Sequence, residues 1–280
     1  MRHSYTILYG RYPFMKNIFS LSDKVIVVTG GAGYLGSVMT RALLEFDAKV
    51  IIADIVEKIP EEIASSDEHP KNLHVLKCDL SRTESIKEMF ENAERIWGRI
   101  DTLVNCAAYG GGSGGKGAAT SIDQITDDIW NLGIEGTLDV TFKCTREALP
   151  YFYKNGGGNI INIASMYGMV SPDPGIYGSS GQNSPPAYGV GKAGVIQLTK
   201  YCAAHIADRN IRVNCITLGP FPNTKGNVNE EFLKRLGTKS MLGRIGKPDE
   251  MVGALVLLAS DASSYMTGSN IVVDGGWTSW

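Results

Sequence analysis

Short unbroken apolar runs alternate with helical stripes along almost the whole chain. VIVVTG at 25–30 has the pattern of a parallel strand buried on both faces. Over 34–47, Leu35, Val38, Met39, Ala42, Leu43 and Phe46 recur at helical spacing. KVIIAD (49–54) and LHVLKCD (73–79) are the next strands, a helix follows over 83–97, and IDTLVN (100–105) is the fourth strand. One long helix is predicted over about 126–153, although Gly133, Gly136 and Pro150 disfavour helix there. NIINIAS (159–165) and IRVNCIT (211–217) are strands on either side of a helix over 187–207. Helices near 229–237 and 248–260 precede a last strand, NIVVD, at 270–274. Repeated βα units predict one α/β domain over 23–280, a doubly wound parallel sheet of about seven strands with helices on both faces.

Residues 1–22 read as an N-terminal extension, too polar between Arg2, Arg11 and Lys16 for a signal-peptide core; disorder is the plain expectation for it. Two irregular segments, GGGSGGKG at 110–117 and 168–187, follow strand C-termini, where such sheets bind ligands. Solvated surface loops are the competing reading of both.

The 280 residues are 43% hydrophobic and 20% charged, which is ordinary for a globular enzyme. A net charge of −2 without charge blocks argues against nucleic acid or an anionic membrane as the main partner. No apolar run approaches a membrane span. The five cysteines are scattered without a C-x-x-C pair, as expected of reduced thiols in a cytoplasmic protein. The four histidines have no ligand spacing, so no metal is expected.

TGGAGYLG sits between a predicted strand and a predicted helix, with Gly30, Gly33 and Gly36 at the turn. Glycine there allows close approach of backbone to a pyrophosphate, which the helix N-terminus then faces; Tyr34 and Leu35 belong to the same cradle. This marks a Rossmann-type nucleotide fold. Asp54, at the end of the second strand, suits the hydroxyls of a ribose and repels a 2′-phosphate, so the expected cofactor is NAD. Tyr188 and Lys192 stand four apart, on one face of a helix. An ammonium beside a phenol favours the phenolate, giving an acid or base usable near neutrality. With Ser165 able to hold a carbonyl or alcohol oxygen, the parts suggest hydride transfer.

In this order, TGGAGYLG, CDL (78–80), NCAA (105–108), Ser165, Tyr188-Gly-Val-Gly-Lys192, IRVNCITLGP (211–220) and VDGG (273–276) resemble the short-chain dehydrogenase/reductase family over about 24–276. The resemblance implies that Tyr188 is the general acid/base, that Lys192 lowers its pKa and holds the nicotinamide ribose, and that Ser165 orients the substrate oxygen. It also implies that Asp79 and Leu80 border the adenine, that Asn105 and Ala107 lie along the cofactor, and that Gly219 lies near the carboxamide. A homodimer or homotetramer through the helices at 126–153 and 187–207 is implied as well, with Trp277 and Trp280 either at that interface or over the substrate pocket.

The chain departs from the family pattern in four places. The glycine spacing is that of the extended branch, with Tyr34 at the middle glycine of the compact branch. NCAA stands for N-N-A-G. The catalytic asparagine falls on Thr137, with Asn131 as the alternative if the helix register shifts; a hydroxyl there could hold a water, and Thr137→Asn is expected to preserve or raise kcat. Ser165 and Tyr188 are unusually far apart. The intervening loop carries Ser171, Asp173, Tyr177, Ser179, Ser180, Gln182 and Asn183, with Asn223 and Thr224 beyond Gly219. Those groups suit a small polar substrate such as a sugar. The leading expectation is an NAD(H)-dependent interconversion of a secondary alcohol and a ketone. An epimerase or dehydratase with tightly bound NAD, or a non-catalytic NAD-binding protein, are the alternatives.

Overall fold

The computed structural model describes residues 17–57, 63, 70–110, 121–180, 183–225 and 229–280. Strands β1 (Val25–Thr29), β2 (Lys49–Asp54), β3 (Leu73–Lys77), β4 (Thr102–Asn105), β5 (Gly158–Ser165), β6 (Ile211–Leu218) and β7 (Asn270–Val273) form one parallel sheet in the order β3-β2-β1-β4-β5-β6-β7. Between β1 and β4 the direction of strand addition reverses, which opens a crevice beyond their C-terminal ends.

Helices α1 (Tyr34–Glu45), α2 (Thr83–Trp97), α3 (Asp127–Ile134), α4 (Val140–Asn155), α5 (Pro186–Ile206), α6 (Glu230–Thr238) and α7 (Val252–Ala259) complete the fold. Side chains alternate across the sheet. Ile26 and Val28 pack into one layer with Met39 and Leu43 of α1 and Leu255 and Leu258 of α7. Val25 and Val27 pack into the other with Ile86 and Phe90 of α2 and Cys144 and Phe152 of α4. Each such side chain contributes about 1.5–3 kcal/mol on full burial. Because both faces are covered, the central strands β1 and β2 carry unbroken apolar runs, 25–28 and 50–53, rather than an apolar residue at every second position.

The strand and helix pattern of the sequence is present, with two differences. Leu21 is fully buried and the Ala262 N–H donates to the Ile18 carbonyl, so packing begins ahead of residue 23. Residues 1–16, 111–117 and Gln182, on which expectations were placed, lie outside the described residues. The long helix of 126–153 is two helices joined by a π-turn, Glu135–Asp139. There the Val140 N–H reaches back to the Glu135 carbonyl, and the freed Gly136 carbonyl accepts from the Tyr109 N–H at 3.0 Å. A side chain at Gly136 would collide with the Tyr109 carbonyl, since its Cβ would lie 1.9 Å away. The loop after β4 thus docks against the helix and widens it.

All five cysteines are free. Among the described residues no helix is long and apolar enough to cross a membrane, and no cluster could hold a metal ion.

Candidate active site

A cavity of about 860 Å³ opens in the crevice at the C-terminal ends of β1 and β4. Its floor is the glycine turn. Gly30 has φ +66° and its Cβ would lie 2.8 Å from the Ala107 backbone, while a Cβ on Gly36 would lie 2.0 Å from the Gly30 carbonyl oxygen. Any side chain at either position would push the turn off the strand or off α1. No side chain caps α1 at Gly33, and its first turn has no acid. Gly33, Tyr34, Leu35 and Gly36 all line the cavity, so the positive end of the helix faces open space suited to a phosphate. Tyr34 does more than replace a glycine: its hydroxyl donates to the Pro222 carbonyl at 3.0 Å, joining the turn to the loop after β6.

Asp54 ends β2 on the cavity wall, where its Oδ2 accepts from the Ala32 N–H at 3.1 Å. Lys192 is the one lysine or arginine among the described residues that line this cavity. Asp79 and Leu80 lie beyond Asp54, and Asp79 accepts from both the N–H and the hydroxyl of Ser81, which holds its carboxyl below the usual range. Ala107 and Gly219 also line the wall. A Cβ on Gly219 would lie 2.4 Å from the Asp274 Cα. The dimensions, the uncapped helix end and the placed carboxylate all fit a nicotinamide dinucleotide.

At the β5 end, Ser165, Tyr188 and Lys192 come together. Ser165 is the last residue of β5, and its Oγ accepts from the Tyr167 N–H at 3.3 Å, starting the turn Met166–Gly168. That turn presses on α5 closely: Cβ atoms on Gly168 and Gly189 would meet the backbone of Lys192 and of Tyr167. Gly168 in the turn and Gly189 in the helix therefore let the two come near enough for Ser165 to hydrogen-bond the Tyr188 phenol. Lys192 Nζ donates to the Ile163 carbonyl at 2.7 Å and lies 5.9 Å from the Tyr188 ring centre.

Burial lowers the Lys192 pKa to about 8. It also raises the Tyr188 pKa, against a smaller lowering by Ser165. The expectation of a phenol depressed by its lysine is thus not met here. The ammonium is committed to a carbonyl, and desolvation of the phenol dominates.

Two expected site residues do not reach the cavity. Thr137 is fully buried in the π-turn, and its Oγ1 donates to the Gly133 carbonyl at 2.6 Å. It faces Gly191 of α5, where a Cβ would lie 1.8 Å from that oxygen. A threonine holding a water in the site is therefore corrected to a packing residue, and Asn131 is exposed on α3. Asn105 sits beneath the cavity, donating to Asn162 Oδ1 at 2.8 Å and Thr145 Oγ1 at 3.1 Å. Asn162 in turn donates to Thr199 Oγ1 at 2.9 Å. This buried network ties β4 and β5 to α4 and α5.

Sequence reasoning missed Tyr109, Leu132, Glu135 and Phe221, which also line the cavity. None belongs to a motif, and only the register of the predicted amphipathic helix could have pointed to Leu132.

Several polar groups of the loop at 168–187 have partners within the protein. The Asp173 carboxylate pairs with Lys239, Ser180 donates to the Tyr177 carbonyl at 2.7 Å, and Ser171 donates to the Pro172 carbonyl at 3.3 Å. Tyr177 is buried, stacked on Phe232 with ring centres 5.7 Å apart. Met166, Ile176, Leu236 and Trp277 complete this third apolar cluster. Trp277 therefore packs beside the site rather than at a surface, whereas Trp280 is exposed. Beyond Tyr167 a second hollow of about 500 Å³ is lined by Ser171, Asn183 and Ser184 among others.

Comparison with known proteins finds close likenesses. A family described as enoyl-(acyl carrier protein) reductase matches residues 31–278. The chain is 32% identical to the 7alpha-hydroxysteroid dehydrogenase of Bacteroides fragilis, covering 91% of this chain and 95% of the relative. A short-chain dehydrogenase from Leptospira borgpetersenii with bound NAD+ is 30% identical with a TM-score of 0.80, covering 96% of this chain and 99% of that one. A gluconate 5-dehydrogenase from Burkholderia cenocepacia, in complex with NADP and tartrate, is 26% identical with a TM-score of 0.81, covering 94% and 98%.

Proposed function

Because the chain belongs to the short-chain dehydrogenase/reductase family, we propose that it is an NAD(H)-dependent oxidoreductase interconverting a secondary alcohol and a ketone. The single observation that carries this is the meeting of Ser165, Tyr188 and Lys192 at one end of a dinucleotide-sized cavity. Bound NAD supplies the hydride acceptor, or as NADH the donor.

The remaining chemistry falls to the chain. The Ser165 hydroxyl holds the substrate oxygen, and the Tyr188 phenol gives that oxygen its proton in reduction or takes it in oxidation. Lys192 keeps a positive charge behind the phenol and orients the cofactor ribose. Gly30, Gly33, Tyr34, Leu35 and Gly36 hold the pyrophosphate, and Gly219 and Ala107 flank the nicotinamide half. The preference for NAD is supported by Asp54 and by the absence of any other lysine or arginine among the described lining residues. A 2′-phosphate would meet like charge, with no compensating cation beside Asp54 among the described residues. A kcat/KM higher with NADPH than with NADH would overturn the preference while leaving the reaction class intact.

For the substrate we propose a compact hydroxylated molecule. The likeness to a gluconate 5-dehydrogenase supports it. A panel of sugars, sugar acids, polyols and apolar ketones, followed by NADH absorbance, tests it; turnover of the apolar ketones alone removes it. We also propose a homodimer or homotetramer. The exposed Trp130, Phe142 and Tyr153 on α3 and α4, and Val190 and Tyr201 on α5, support that assembly.

A further inference from the structure

We propose that the hydrogen bond from the Tyr34 hydroxyl to the Pro222 carbonyl is a gate that the cofactor must open to enter and to leave. This rests on the reading of the cavity as a dinucleotide site and deepens it. Two walls of the cavity meet at this bond. One is the glycine turn, where Gly33, Tyr34, Leu35 and Gly36 line the cavity. The other is the end of β6 and the segment after it, with Leu218, Gly219 and Phe221. The 3.0 Å bond ties these walls together although 188 positions separate them in sequence. Gly33 and Tyr34 also line an outer hollow of about 410 Å³, together with Asn223 and Lys225. Gly33 and Asn223 are exposed there, so Tyr34 stands as a partition between the cavity and the surface.

The two halves of the gate differ in firmness. Tyr34 is the first residue of α1, on a turn that the contacts of Gly30 and Gly36 hold in place. The other half has a firm base. Gly219 fits against Asp274, the Gly246 N–H donates to the Pro220 carbonyl at 2.9 Å, and a Cβ on Gly246 would lie 2.5 Å from the Phe221 ring. Beyond Phe221 the hold weakens. Pro222 has no N–H to donate, Asn223 and Thr224 are exposed, and the Asn223 side chain is turned to the Lys225 N–H at 3.0 Å. The Tyr34 bond therefore fixes the segment one residue beyond its firm base.

The bond suits a gate. Burial holds the Tyr34 phenol above its ordinary pKa, against a smaller lowering by Lys225, so the hydroxyl is a neutral donor throughout the neutral range. A bond between neutral groups that water can replace is modest in net strength. It biases the segment closed and still yields on each exchange of cofactor. A glycine at position 34 would have no side chain with which to make it.

The test is stopped-flow binding of NADH, read by its fluorescence, to the wild type and to Tyr34→Phe, which removes the hydroxyl and keeps the ring. The association and dissociation rate constants should both rise by about threefold to tenfold, the scale of one such bond. The Kd should change by less than either. A merely structural contribution of the hydroxyl would not speed association. Failure of either constant to rise, in a variant that melts near the wild type, overturns the gate while the proposed cofactor stands. If the phenylalanine variant is unstable, Tyr34→Leu, which also lacks the hydroxyl, decides the question by the same two rates. Failure of the wild type to bind NADH overturns the gate and the proposed cofactor together.

Discussion

The two ends of the cavity are built in different ways. At the cofactor end the chain's own backbone does the shaping: a strand, a glycine turn, a helix end and one carboxylate, all within 25–54. At the other end a long loop is held by side chains from distant segments: Tyr177 on Phe232, Trp277 beside Tyr167 with ring centres 6.4 Å apart, and Asp173 on Lys239. Backbone geometry of the first kind tolerates little change. Contacts of the second kind can be re-cut to fit new substrates while the cofactor half stays as it is.

This division is open to direct attack. The largest effect should come from Tyr188→Phe, which keeps the ring and removes the proton. The kcat should fall by about 10³-fold or more, within the range of general acid–base catalysis, while the Kd for NAD moves little; near-normal turnover would reject the assigned acid.

Trp277→Ala should separate the two ends. Loss of a buried tryptophan costs about 3–5 kcal/mol of stability, and the substrate KM should rise. At temperatures where the variant is folded, the Kd for NAD should stay within about twofold, because the sites do not share residues and distant changes act independently. A matching loss of NAD affinity would show the two ends to be one unit.

Thr137→Asn should now lower stability by about 1–3 kcal/mol, the usual result of overpacking. This replaces the expectation of preserved or raised kcat, since the larger side chain must enter the contact with Gly191. A melting temperature equal to that of the wild type would restore the original expectation.

The smallest effect concerns pH. Between Lys192's lowered value of about 8 and the ordinary lysine value, the unfolded chain holds a proton that the folded chain has released. Stability from this group is therefore gained as pH rises through that window, and the burial penalty is fully felt below it. The difference in unfolding free energy between wild type and Lys192→Met should move in the wild type's favour from about pH 7 to about pH 10. A difference independent of pH would mean that Lys192 keeps its ordinary pKa.

The contrast between the two ends also governs what could be read from the chain. The glycine turn and Asp54 are local, so their spacing carried them, and the strand pattern carried the sheet. Tyr188 and Lys192 share a helix face, and Ser165 ends a strand that was legible. Glu135 stands in a π-turn that no periodicity announces, because a tertiary hydrogen bond from the Tyr109 N–H to the Gly136 carbonyl accompanies it. Asn105 and Thr137 were read from position along the chain, yet they point into packing rather than into the cavity. The polar groups of 168–187 suggested a ligand, but most of those described find partners within the protein.

That π-turn has a consequence for phase. One residue of an α-helix corresponds to about 100° of rotation, so the extra residue turns everything after it to a new heading. Before it, Gly133 fits against Ala187 of α5. After it, Val140, Cys144, Ala148 and Phe152 meet the sheet. Removing a single residue from Glu135–Asp139 would leave composition and charge nearly untouched and misdirect the whole of α4. The chain keeps its bearing here through an irregularity, and a smoother helix would lose it.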